Sequence, residues 1–111
     1  MRAGGGEGVR RQPVMEKAVV ARIMAALKKI PGVVVRKRHG TAMGVAGDPD
    51  IYGSFCGRHF EIEVKRRDGV LTELQKVRIR DWARSGALVG VVRSAEEALS
   101  LLELDRGGPA R

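Results

Sequence analysis

The spacing of apolar residues changes several times along the chain, and each change marks an element. After Pro13, a favourable residue for a helix start, Val19, Val20, Ile23, Leu27 and Ile30 recur at helical spacing until Pro31-Gly32 stops them. Val33, Val34 and Val35 then predict a strand, which runs into the basic Arg36, Lys37 and Arg38 and a glycine-rich loop over residues 39–47. From Ile51 to Val64 the period falls to two, with Ile51 and Phe55 alternating on one strand and Phe60, Ile62 and Val64 on the next. A basic turn follows at residues 66–69. Thr72 with Gln75 has the capping-box pattern for a second helix ending near Gly86. Residues 87–92 read as a buried strand, and Ser94 with Glu97 repeats the capping pattern before a last helix carrying Leu101, Leu102 and Leu104. The order is α, β, β, β, α, β, α. The short crossover between the third and fourth strands favours parallel pairing of those two.

The hairpin places acids where a sheet gains nothing from them. With Cys56-Gly57 as a two-residue turn, Phe55 faces Arg58, Ile51 faces Ile62, and Asp50 meets Glu63. Like charges directly opposite are destabilising, but a hard divalent cation turns that repulsion into coordination by oxygen. The same alternation puts His59, Glu61, Glu63 and Lys65 on one face, away from Phe60, Ile62 and Val64. His59 and Glu61 are expected on a solvated sheet surface. A longer loop with a bulge would slip the pairing by one and separate the two acids.

Two helical polar residues fall on apolar stripes. Glu16 precedes Val20, Ile23 and Leu27 on one side of the first helix, so it either points inward or complements the helix dipole near the surface. Gln75 precedes Ile79, Trp82 and Gly86 in the same way, and serves either as the partner of Thr72 or in a site, because one rotamer cannot do both. Trp82 is expected in the core. His39 and Cys56 carry no assigned role.

Charge decides the partner. Twenty-one Lys and Arg against thirteen Asp and Glu give a formal charge of +8 over 111 residues, which points to a polyanion. Four aromatic residues in the chain favour phosphate contact over base stacking (Phe 2, Tyr 1, Trp 1). Arg36, Lys37, Arg38, Lys76 and Arg80, with Arg78 and Arg84 nearby, form a candidate phosphate track. One cysteine excludes an internal disulfide, and no apolar run is long enough for a membrane span, so a reducing, cytoplasmic setting is expected. The chain is read as a flexible basic leader over residues 1–12, a domain over 13–104 and a disordered tail over 105–111.

Pro49-Asp50 followed by Glu63-Val64-Lys65 resembles the PD-(D/E)XK motif of metal-dependent nucleases, set in the αβββαβ order of that superfamily's core. Gly47-Asp48-Pro49-Asp50, Glu63-Val64-Lys65, Gly69, Leu71-Thr72 with Gln75, and Gly86 before Val91-Val92 resemble its VRR-NUC branch, the virus-type replication-repair nucleases. The resemblance implies a restriction-endonuclease-like α/β fold with a mixed four-stranded sheet flanked by helices, plus a C-terminal helix. It further implies that Asp50, Glu63, the Val64 carbonyl and Glu16 bind Mg2+ or Mn2+, that Lys65 serves catalysis, and that Gln75 belongs to the motif. The function implied is hydrolysis of DNA phosphodiesters, at Holliday junctions or flaps in replication, recombination or repair, by a homodimer in a bacterial or phage-infected cell. The alternative is a non-catalytic basic module that binds nucleic acid.

Overall fold

In the computed structural model, the backbone is described for residues 3–39 and 44–106, and side chains for 16–39 and 44–103. The elements are α1 (Ala3–Lys28), β1 (Val33–Lys37), β2 (Ile51–Phe55), β3 (Arg58–Val64), α2 (Glu73–Arg84), β4 (Leu88–Val92) and α3 (Ala95–Arg106). The four strands form one mixed sheet in the order β1-β2-β3-β4. The first two pairings are antiparallel and the last is parallel. The αβββαβ order with a further helix is thus the observed architecture. One boundary differs from the sequence reading: α1 begins at Ala3, and Pro13 lies inside the helix instead of opening it. Arg10, Arg11, Gln12 and Met15 around Pro13 are favourable helix formers, and Pro13, lacking an N–H, removes one rung of the helical hydrogen-bond ladder. Residues 107–111 of the expected tail, and residues 40–43 of the glycine-rich loop, lie outside the described residues.

The core is one layer between the sheet and two helices. Val20, Ile23 and Leu27 of α1, with Ala98 and Leu102 of α3, are buried against Val35, Ile51, Phe55, Phe60, Ile62, Val64 and Val92 of the sheet. Fully burying such a side chain contributes about 1.5–3 kcal/mol, so this layer carries most of the fold's stability. The helix α2 lies across the opposite face, where Trp82 meets His59 with ring centroids 5.1 Å apart. It contributes no fully buried residue. No described helix is long and apolar enough to cross a membrane.

The β2–β3 hairpin has the register that a two-residue turn dictates, with Phe55 opposite Arg58 and Ile51 opposite Ile62. Cys56 at φ 51° and Gly57 at φ 88° both take the left-handed conformation that such a turn requires. Asp50 therefore stands on the α2 face of the sheet, next to Glu63 and Lys65.

Candidate active site

Asp50, Glu63 and Lys65 converge at the start of β2 and the end of β3. The side chain of Asp50 is held by the backbone of the neighbouring strand, since the Val64 N–H donates to its Oδ2 at 2.8 Å. Glu63 is only 2% exposed and Lys65 only 8%. The Lys65 Nζ lies 3.6 Å from Glu63 Oε2, and Lys65 is anchored by its own N–H, which donates to the Val92 carbonyl at 3.0 Å. Burial pushes the Glu63 carboxyl up to about 8, the neighbouring Asp50 charge adds to that rise, and Lys65 opposes it. Burial and the neighbouring Asp50 charge thus both favour the protonated form of Glu63.

Glu16 is half-buried on α1. Among the described residues no three His, Cys, Asp or Glu side chains are grouped to hold a metal ion. Gln75 takes the capping role: its Oε1 accepts from the Thr72 N–H at 3.0 Å, and its own N–H donates to Thr72 Oγ1 at 3.0 Å. The rotamer that closes this box directs the amide oxygen to the start of α2.

The polar face departs from the reading of a solvated surface. Glu61 is fully buried, with His59 Nε2 at 2.6 Å from its Oε2 and the Arg38 guanidinium clasping both oxygens at 2.7 and 3.2 Å. Trp82 is correspondingly not part of the apolar core. It covers this face, and its Nε1–H donates to Asp48 Oδ1 at 3.1 Å. Alternation identified which residues share the face, but the covering by α2 is a tertiary event with no mark in the strand.

Arg38 has other partners than the phosphate expected for it. Desolvation works against its charge, yet the hydrogen bond and charge of Glu61, with Asp48 and Tyr52 adding, outweigh this and raise its pKa. Arg36 and Lys37 remain exposed on β1, and Arg80 is exposed on α2. Lys76 is exposed too, with its Nζ donating to Glu73 at 3.0 Å. The loop before Asp50 is clamped from α2, where Arg78 donates to the Ala46 carbonyl at 2.9 Å. Gly47, at φ +86°, packs so closely on Leu74 that a Cβ there would stand 2.7 Å from its Cγ.

No family model matches the chain, and no curated protein matches it. Among solved structures, one described as a VRR_NUC domain protein superposes with a TM-score of 0.66 at 23% identity, covering 79% of this chain and 84% of its own. A second, described as a VRR_NUC domain, superposes with a TM-score of 0.66 at 25% identity, covering 80% of this chain and 95% of its own. Their shared description coincides with the motif read from the residues themselves. The chain folds as a VRR-NUC domain.

Proposed function

We propose that this protein is a metal-dependent endonuclease that hydrolyses DNA phosphodiester bonds at Holliday junctions or flaps. The observation that carries the reading is the juxtaposition of the half-buried Asp50 with the buried Glu63 and Lys65. A sheet with only a fold to maintain has no use for this group, because desolvated like charges oppose folding. The donor set fits a hard divalent cation such as Mg2+ or Mn2+, since both acids offer carboxylate oxygens and the Val64 carbonyl directly follows Glu63 in the chain. Asp50, Glu63 and Val64 would hold the ion, with Glu16 as the outer candidate.

A bound cation supplies charge to polarise the scissile phosphate and to lower the pKa of an attacking water. The chain's own residues do the rest. Asp50 is kept in place by the Val64 N–H, and Glu63 must give up its proton before it can serve as a ligand. The Lys65 ammonium stands beside Glu63 to orient the water or to stabilise charge that grows on the phosphoryl oxygens. Arg36, Lys37, Lys76 and Arg80 supply phosphate contacts that position the duplex without reading bases. Two copies of so small a domain would present paired sites to a junction, and we place the protein in the cytoplasm as a homodimer acting in replication, recombination or repair.

The test is incubation of purified protein with linear, flap and four-way DNA, each with Mg2+, Mn2+ or chelator. Metal-dependent cleavage that favours the branched substrates is expected. Binding without cleavage in every condition would overturn the nuclease reading and leave a basic binding module.

A further inference from the structure

Arg38 ties together the backbone on both sides of Asp50. Its Nη1 donates to the Pro49 carbonyl at 2.7 Å, and its main-chain N–H donates to the Asp50 carbonyl at 2.7 Å. These are the two carbonyls that flank the Cα of Asp50, so their positions fix where its side chain is aimed. The same guanidinium grips Glu61 on the adjacent strand through two oxygens, lies 3.9 Å from Asp48 Oδ2 and stacks over Tyr52 at 4.6 Å. Trp82 completes the enclosure, 5.8 Å from the guanidinium and bonded to Asp48. A buried ion pair is a poor way to stabilise a fold, because apolar residues of the same volume do as well or better. What a bidentate pair supplies is geometry.

We propose that Arg38 and Glu61 are positioning residues whose part-buried pair locks the Asp48-Pro49-Asp50 segment so that the Asp50 carboxyl faces Glu63. Glu61 supplies a fixed anchor two residues from Glu63 on the same strand, and Arg38 transmits that anchor to the backbone of Asp50. Asp50 and Glu63 are thereby referenced to one strand although they belong to different segments. This rests on the metal reading above, and it adds a function for a pair that touches neither cation nor DNA.

The experiment is Mn2+ titration of the full chain by calorimetry, with thermal melts alongside, for wild type, Glu61→Gln, Arg38→Gln, Arg38→Lys and Asp50→Asn. Trp82 is the only tryptophan, so its fluorescence and indole N–H resonance report the Asp48 segment directly. Wild type should bind Mn2+ and Asp50→Asn should not. Arg38→Lys keeps a charge against Glu61 and is the variant expected to stay folded even if Arg38→Gln does not. Its ammonium cannot span both Glu61 oxygens and the Pro49 carbonyl together. Its Mn2+ affinity should fall at least tenfold, with a shifted indole resonance, and cleavage lost at the wild-type metal concentration should return as Mn2+ is raised. A lowered melting temperature with unchanged Mn2+ affinity would make the pair merely structural and overturn the proposal. Wild type binding no better than Asp50→Asn would overturn the metal reading and this inference with it.

Discussion

The Val64 N–H donates to the Asp50 carboxylate across the end of the β2–β3 ladder, so one acid of the pair is held by the residue that separates Glu63 from Lys65. Asp50→Asn keeps an acceptor for that N–H but loses the charge. It should abolish cleavage while leaving the fold intact, and DNA binding should hold or tighten because a negative charge beside phosphate is gone. Glu63→Gln should behave alike. Cleavage assays paired with gel shifts check both variants, and retained cleavage in either would remove that residue from the site.

Glu63 makes the metal-free protein sensitive to pH in a stated direction. Its carboxyl titrates at about 8 in the folded chain against an ordinary 4.5, so between those values the folded state holds a proton that the unfolded state has released. Raising the pH through this window therefore favours unfolding. In chelator the melting temperature should fall from the acid side towards pH 8, and Glu63→Gln should flatten the curve. Adding Mg2+ should reverse the trend, with affinity growing as pH rises and protons released into a weakly buffered solution. A pH-independent melt would contradict the burial argument.

Lys65 is the residue that separates chemistry from binding. As a group that meets charge developed only during attack, its loss in Lys65→Ala should lower kcat by about 100-fold or more, with KM and metal affinity little changed. Lys65→Arg should rescue little, because the bulkier guanidinium cannot take the place of the ammonium of this nearly buried side chain. Single-turnover cleavage of a junction at saturating enzyme measures this. A rise in KM with kcat spared would make Lys65 a phosphate contact instead.

Binding to DNA should weaken steeply with salt and little with sequence. Neutralising the exposed Arg36 and Lys37 together should flatten the log-log salt slope by about one to two. Arg38→Gln should leave the slope nearly unchanged, since its charge is already committed to Glu61. An equal effect from Arg38 would place it on phosphate after all.

Thr72 and Gln75 predict a stability effect and no catalytic one. Thr72→Ala removes one half of the box and should cost about 1 kcal/mol in chemical denaturation, with kcat preserved. A kcat loss in Gln75→Ala beyond its stability loss would return Gln75 to the site.

The order of elements, the hairpin register and the Asp50–Glu63 opposition were legible because each follows from local rules: alternation fixes faces, and a Cys-Gly turn of two residues fixes parity. The capping boxes were legible for the same reason, although the Glu97 carboxyl accepts from the Arg93 N–H rather than from its cap. What escaped was the enclosure of Glu61. Its enclosure brings together Trp82, on a helix later in the chain, and Arg38, 23 residues earlier and just past β1. No window short enough to show periodicity contains all three. Arg38 was misleading on its own account, because it stands in a run of three basic residues whose other two members do face solvent.

The left-handed turn at Cys56 and Gly57 reaches further than the hairpin it closes. Strand parity is a binary quantity, and here it is set in a two-residue loop well away from the acids. Residues inserted or deleted there in pairs lengthen or shorten the ladder but leave each side chain on its own side. A single insertion exchanges the sides, sending Phe60, Ile62 and Val64 towards α2 and driving Glu61 and Glu63 beneath α1. The chemistry of this domain is therefore indexed from an exposed loop, and that loop tolerates changes of sequence far better than changes of length by one.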